Sequence, residues 1–224
     1  MTATSDSESS KTATVLGATG LIGGHVVELL QDDPYFGKIR ALSRRPVSIH
    51  HPKVQLVVVD FADEQAFRAG IAGSDAVFCA VGTTQQKVMG DKTAYRKIDY
   101  DIPVHAAQFC AETGCPRFLF VSSVGANSKS RAFYTRLKGE IEEAVQQMLI
   151  PSISIFRPSM LLGKRGESRP GESIMQKLSP PLSIFFPSQY KPINARDVAR
   201  AMVEASKRDA PGVHVYHYNE MLAL

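Results

Sequence analysis

Val15-Leu16-Gly17-Ala18-Thr19-Gly20-Leu21-Ile22-Gly23 is the stretch that decides how this chain is read. The β-forming Thr14, Val15 and Leu16 precede three glycines spaced by three, and Val26, Val27, Leu29 and Leu30 then supply the apolar face of a helix. The pattern is strand, tight turn, helix. Glycine in such a turn lets the backbone take strained dihedrals and approach a ligand closely. The start of the helix offers unpaired N–H groups and partial positive charge to a pyrophosphate. A dinucleotide is the ligand these features predict, held by Gly17, Thr19, Gly20, Leu21, Ile22 and Gly23. The spacing is G-x-x-G-x-x-G rather than G-x-G-x-x-G, and a glycine turn also serves any tight strand-to-helix connection, so the rest of the chain must decide.

With 224 residues, 44% of them hydrophobic and 21% charged, the chain is long enough for one well-buried domain and short for two. No apolar run approaches the length of a membrane span, and none is predicted. Residues 1–11 are Ser/Thr-rich without an apolar centre and read as a disordered leader rather than a secretory signal, leaving 12–224 as the folded domain. A cytoplasmic protein is the expectation. The net charge of +4 comes from basic residues scattered among acids, which argues against a nucleic-acid partner. Cys79, Cys110 and Cys115 form an odd set without zinc spacing; no metal is expected, and reduced thiols are the plain reading. Cys110 and Cys115 flank a helix end, which leaves a redox pairing as the lesser alternative.

A second strand at 38–43 ends in Arg44-Arg45-Pro46. In a dinucleotide fold the end of this strand faces the adenosine ribose. An acid there suits the two ribose hydroxyls of NAD, whereas arginine accommodates the 2′-phosphate of NADP. Arg44 and Arg45 therefore favour NADP over NAD. The near-continuous apolar run at 54–60 is a third strand, of the kind a parallel sheet covers on both faces, and it ends on Asp60 and Phe61, counted here with the cofactor-binding residues. Asp63 caps a short helix whose apolar face is Ala66, Phe67, Ala69 and Ile71. A fourth strand at 75–81 runs through Ala80 and Val81 into Gly82-Thr83-Thr84, small residues against which a flat cofactor can lie. Residues 85–93 read as a polar loop over the site. A long helix at 95–112 must accommodate Pro103 near its beginning or by a bend.

The fifth strand, 117–123, ends on Ser122 and Ser123, and after a turn at 124–127 the helix at 133–148 carries Tyr134 and Lys138. Four residues apart, these two lie on one helix face about a turn from each other. A sixth strand at 153–157 leads through Arg157 and Pro158 into a loop-rich region with a helix at 172–178. Residues 158–194 read as a small C-terminal substrate-binding region, with Met160 and Phe185 among its lining. A helix at 195–207, capped by Asn194, and a strand at 213–218 complete the chain. The order predicts an α/β domain with a doubly wound, mostly parallel sheet.

Serine at a strand end, with tyrosine and lysine a turn apart on the next helix, suits carbonyl reduction. The developing alkoxide needs a proton donor at its oxygen. A nearby ammonium favours phenolate, so Lys138 would pull Tyr134 down from its reference of about 10. Tyr134 would then act as the acid or base. Ser123, or its neighbour Ser122, would orient the carbonyl oxygen, and Lys138 would also hold the nicotinamide ribose.

The chain resembles the short-chain dehydrogenase/reductase superfamily, of the atypical kind, and within it the Tat-interacting-protein-like oxidoreductase branch. The residues that carry the likeness are the glycine turn, Ala80-Val81-Gly82-Thr83-Thr84, Val121-Ser122-Ser123-Val124-Gly125-Ala126, Tyr134-Thr135-Arg136-Leu137-Lys138-Gly139-Glu140, Phe156-Arg157-Pro158 with Leu161-Leu162-Gly163, and Asp197-Val198-Ala199. The resemblance implies a Rossmann fold binding NAD(P), catalysis by Ser123, Tyr134 and Lys138, Arg157-Pro158 beside the nicotinamide, and Asp197 anchoring the last large helix. Two departures stand out. Asp99 occupies the helix position where many members carry a catalytic asparagine, and the C-terminal region is shorter than in sugar-nucleotide epimerases. The leading expectation is an NADPH-dependent oxidoreductase acting on a small carbonyl-type substrate. The alternatives are an NADPH-binding redox sensor or regulatory scaffold without turnover, as described for some members of the branch, and an epimerase or dehydratase with bound NAD(P). A homo-oligomer is left open.

Overall fold

The computed structural model describes residues 10–83, 90–163 and 187–224. Residues 1–9 of the expected leader, Thr84 with most of the expected polar loop, the expected helix at 172–178 and Phe185 lie outside the described residues. The glycine turn sits where expected, between β1 (Lys11–Leu16) and α1 (Leu21–Asp32). Lys11, assigned to the leader from the sequence, is the first residue of β1.

β2 (Phe36–Ser43), β3 (Val54–Val58), α2 (Glu64–Ile71) and β4 (Ala76–Cys79) follow, then β5 (Arg117–Val121), α5 (Phe133–Gln146) and β6 (Ser152–Phe156). Between β4 and β5 lie α3 (Lys92–Arg96), a π-helical segment (Lys97–Asp101) and α4 (Ile102–Thr113). Beyond β6 come the two-residue strands β7 (Leu161–Leu162) and β8 (Ile193–Asn194), which pair with each other, then α6 (Ala195–Lys207), β9 (Gly212–Tyr216) and α7 (Tyr218–Ala223).

Seven strands form one sheet in the order β3-β2-β1-β4-β5-β6-β9, and every neighbouring pair is parallel. This is the doubly wound α/β architecture expected, with a wholly parallel sheet in place of a mostly parallel one. The central strands are apolar on both faces because helices cover both. On one side Val26, Val27 and Leu30 of α1 meet Val198 and Met202 of α6; on the other, Phe67, Phe109, Leu137 and Ile141 from α2, α4 and α5 form the second layer. Each of these side chains contributes on the order of 1.5–3 kcal/mol by leaving water. Chain order reverses between β1 and β4, so a crevice opens where the loops after these strands diverge.

Several boundaries differ for physical reasons. β3 was expected to be covered on both faces, yet it is the sheet edge, ends at Val58, and leaves Val58 52% exposed. The final strand stops at Tyr216, and the backbone amide of His217 donates to Glu220 Oε2 (3.1 Å) at the start of α7, which docks by the buried Met221. The single helix expected at 95–112 is three segments. Pro103 lacks the amide that an α-helix would direct at the Asp99 carbonyl, and its ring would collide there; the chain widens into a π turn just before it. The helix-end cysteines close a cap: with Gly114 at φ 73°, the Cys115 amide donates to the Cys110 carbonyl at 2.9 Å. All three cysteines are free and buried.

Candidate active site at the strand ends

The first part of the site is the glycine turn. Gly17 has φ 83°, and a Cβ there would lie 2.6 Å from the Ala80 carbonyl oxygen. β1 and β4 run this close because the Ala80 amide donates to the Leu16 carbonyl at 3.0 Å. A Cβ on Gly23 would lie 2.1 Å from the Gly17 carbonyl oxygen, so α1 can approach the turn only with glycine at that position. Gly20 caps α1 without a side-chain hydrogen bond, and the first turn holds no acid. Thr19 and Gly20 are exposed, while Ile22 packs into the core and contributes only backbone to the turn. A helix start with uncapped amides, preceded by a turn with glycine at positions 17 and 20, fits a pyrophosphate.

At the end of β2, Arg44 and Arg45 are both exposed, and among the described residues neither guanidinium is in an ion pair. Asp60 Oδ1 accepts the Ala62 amide at 3.0 Å, and the Phe61 ring meets Phe67 edge-on at 4.7 Å, so both side chains shape the turn after β3.

The third part lies past β5. Ser122 and Ser123 follow the strand directly, and the turn after them is seated on α5: the Asn127 amide donates to the Thr135 carbonyl at 2.9 Å. A Cβ on Gly139 would lie 2.1 Å from the Ser128 nitrogen. Tyr134, in the first turn of α5, is 40% exposed, whereas Lys138, one turn on, is 3% exposed. The two serines have different partners. Ser122 is buried and its hydroxyl donates to Glu142, while among the described residues the Ser123 hydroxyl makes only a 3.3 Å bond to the Val124 carbonyl.

Glu142 was not singled out from the sequence, although it lies four residues beyond Lys138 and eight beyond Tyr134 on one helix face. It is 2% exposed and holds Arg157 through Nε–Oε1 (3.0 Å) and NH2–Oε2 (2.5 Å). This pairing holds the Arg157 guanidinium above its usual range. The guanidinium expected beside the nicotinamide is thus bound to α5. The Pro158 carbonyl accepts the Val124 amide at 2.9 Å, tying the end of β6 to the serine turn.

Asp99 completes the site from the π segment. Its Oδ1 lies 3.8 Å from Lys138 Nζ, and its Oδ2 accepts the Thr83 amide at 2.8 Å. A Cβ on Gly82 would stand 3.6 Å from Asp99 Oδ1, while Val81 is half-buried. Burial pushes the Asp99 carboxyl up, opposed by Lys138, the Thr83 amide and a hydrogen bond from Tyr95. In the C-terminal region, the Met160 carbonyl accepts the Ile193 amide at 3.0 Å, Asn194 caps α6 through the Arg196 amide, and Asp197 sits in the first turn of α6, where a carboxylate suits the helix dipole.

A doubly wound parallel sheet with a glycine-rich turn at its switch point defines a Rossmann-type nucleotide-binding protein. The chain belongs to the NAD(P)H-binding family, whose model matches residues 17–209. It is 33% identical over 165 residues to Protein HTATIP2 of Rattus norvegicus, covering 72% of this chain and 67% of that one. It is 31% identical over 204 residues to the mitochondrial Protein FMP52 of Candida albicans, covering 88% and 89%. The fold is shared with the UDP-N-acetylglucosamine 4-epimerase of Methanobrevibacter ruminantium M1 (TM-score 0.69, 17% identity, 96% of this chain and 80% of that one). It is shared too with the Bordetella bronchiseptica enzyme WbmH in complex with NAD+ (TM-score 0.71, 18% identity, 92% and 75%). The resemblance to an atypical short-chain dehydrogenase/reductase therefore holds, and a nicotinamide dinucleotide is the cofactor class.

The expected cytoplasmic location does not hold. Relatives such as the FMP52 proteins of Candida albicans and Debaryomyces hansenii, the latter 36% identical over 70% of each chain, are mitochondrial proteins. A segment that is Ser/Thr-rich without an apolar centre does not separate cytosol from organelle. No helix among the described residues is long and apolar enough to cross a membrane.

Proposed function

We propose that this chain is an NADPH-dependent oxidoreductase that reduces a small carbonyl compound, with Tyr134 as proton donor, Ser123 as the orienting hydroxyl and Lys138 as the cation that tunes Tyr134. The observation that carries the reading is the buried Lys138 ammonium one helical turn from the exposed Tyr134 phenol. An ammonium with little water around it acts on a neighbouring phenol far more strongly than a solvated one. Ser122 is engaged by Glu142, which favours Ser123 as the hydroxyl available to a substrate oxygen.

The nicotinamide, when bound, supplies the hydride. Tyr134 holds the proton that the substrate oxygen takes up, and Lys138 stabilises the phenolate left behind. Ser123 donates a hydrogen bond to that oxygen as negative charge develops on it. Gly17, Gly20 and Gly23 would admit the pyrophosphate to the start of α1, and Ala80, Val81 and Gly82 would form the wall of the cofactor crevice.

Arg44 and Arg45 support NADPH over NADH because two guanidinium groups, in no ion pair among the described residues, stand at the end of β2. Fluorescence titration of both reduced dinucleotides tests this. Arg44→Ala/Arg45→Ala is expected to weaken NADPH binding by about tenfold or more and to leave NADH within about twofold. Equal weakening of both would remove the phosphate clamp.

The epimerase or dehydratase reading is favoured by the fold shared with the UDP-N-acetylglucosamine 4-epimerase. It uses the same residues with no net change in the cofactor. A stoichiometric fall in reduced-nicotinamide absorbance with a carbonyl panel supports the reductase; product formation at constant absorbance supports the epimerase.

A further inference from the structure

We propose that Ser48 is a phosphorylation site, and that a phosphate on its hydroxyl engages the guanidinium groups of Arg44 and Arg45 and so excludes the 2′-phosphate of NADPH. The inference rests on Arg44 and Arg45 having the role proposed above. Its basis is the segment between β2 and β3, Arg44-Arg45-Pro46-Val47-Ser48-Ile49-His50-His51-Pro52-Lys53, which carries Arg44, Arg45 and Lys53 and no carboxylate. The two guanidinium groups therefore have no acidic competitor within their own loop.

The segment turns the serine outward. Residues 46–51 form neither helix nor strand, and exposure alternates along them: Val47 and Ile49 are half-buried, whereas Ser48 and His50 are exposed. Ile49 packs against the core layer that α1 and α6 cover. The chain is thus held by apolar side chains on either side of the hydroxyl. Among the described residues the Ser48 side chain makes no hydrogen bond, so modifying it breaks none.

Kinases select substrates by charge pattern, and an arginine-directed serine kinase reads basic residues a few positions before the serine of an accessible stretch. Arg45 and Arg44 stand three and four residues before Ser48. In the reaction Ser48 Oγ attacks the γ-phosphorus of ATP, the Oγ–P bond forms as the bond to the ADP oxygen breaks, and the hydroxyl proton passes to the kinase's base. ADP leaves.

The consequence follows from charge. Phosphoserine carries about −1.5 to −2 charges at neutral pH and several acceptor oxygens, to which guanidinium groups donate bidentate, charge-assisted hydrogen bonds. Three residues of extended chain span at most about 10–11 Å, a gap that an arginine and a phosphoserine side chain close between them. The tethered phosphate competes at a high effective concentration and repels the 2′-phosphate as well. NADH, which lacks that phosphate, is spared.

The test uses the full-length protein in two arms. In the first, it is incubated with ATP, Mg²⁺ and a panel of arginine-directed serine kinases, and the modified position is mapped by mass spectrometry. Ser48 is expected to take up one phosphoryl group, Arg45→Ala to slow this by about tenfold or more, and Ser48→Ala to abolish it. In the second arm, phosphoserine is installed at position 48 during translation and both reduced dinucleotides are titrated by fluorescence. NADPH binding is expected to weaken by about tenfold or more and NADH to stay within about twofold, while Ser48→Ala binds both as the unmodified protein does. Absence of phosphate at Ser48 across the panel, or unchanged NADPH affinity in the phosphorylated protein, would overturn the inference. Arg44→Ala/Arg45→Ala separates its failure from that of the clamp. If the double variant selectively loses NADPH and phosphorylation does not weaken it, only the role of Ser48 falls; if the double variant weakens both dinucleotides equally, the clamp itself falls.

Discussion

Arg157 grips Glu142 with both sides of its guanidinium fork, Nε at 3.0 Å from Oε1 and NH2 at 2.5 Å from Oε2, and so joins the end of β6 to the middle of α5. The Ser122 hydroxyl donates to the same carboxylate. Three segments around the proposed site are thereby held in fixed relation: the serine turn, the Tyr134–Lys138 face of α5 and the strand end before Pro158. Glu142→Ala leaves the guanidinium and the serine hydroxyl without their acceptor, and is expected to cost about 3–5 kcal/mol. Denaturant unfolding measures this. A loss below about 1 kcal/mol would mean that the pair does not hold these segments together.

Gly23→Ala tests the approach of α1 to the turn. Its Cβ would stand 2.1 Å from the Gly17 carbonyl oxygen, so backbone must move. A destabilisation of about 1–3 kcal/mol is expected, together with weaker dinucleotide binding. Gly73, where a Cβ meets nothing within 4 Å but φ is 72°, is the contrasting control: Gly73→Ala is expected to cost stability through backbone strain and to leave cofactor affinity unchanged.

The thiols are expected to be inert in the folded protein. Cys79, Cys110 and Cys115 are 0%, 0% and 2% exposed, and burial raises the Cys79 thiol to about 12. A thiol reacts as thiolate, which forms only as pH approaches that value, so reactivity at Cys79 stays suppressed through neutral and mildly alkaline pH. Cys110 is also raised by burial, and Cys115 is lowered by its hydrogen bond with Cys110. Aromatic disulfide reagent at pH 8 should label no thiol rapidly in the native state and all three after unfolding. Rapid native labelling of Cys115 would show that the cap at Gly114 opens readily.

The glycine turn, the alternation of strands and helices and the Tyr134/Lys138 spacing were legible because each rests on local chemistry: glycine backbone, apolar runs and helical periodicity. The dependence on Glu142 was less so. Its spacing from Lys138 is visible, but a glutamate on a helix reads as a solvated residue until β5 and β6 bring Ser122 and Arg157 over it. Pro103 announced a break in the long helix without saying that the break would be a π turn carrying Asp99. Covering both faces of β3 was a mistaken expectation because the apolar run does not reveal which strand is outermost. β7 and β8, two residues each, are too short to show a period.

The most direct measurement is single-turnover oxidation of NADPH by Tyr134→Phe beside the unmodified protein, with a carbonyl substrate drawn from a panel of small aldehydes and ketones. The substitution removes one hydroxyl from a half-exposed side chain. NADPH affinity should be retained within about twofold, while the rate of hydride transfer falls by a factor of 10² or more, as expected for loss of a positioned proton donor, roughly 10²–10⁴. An unchanged rate in the variant would contradict the assignment of Tyr134 as proton donor.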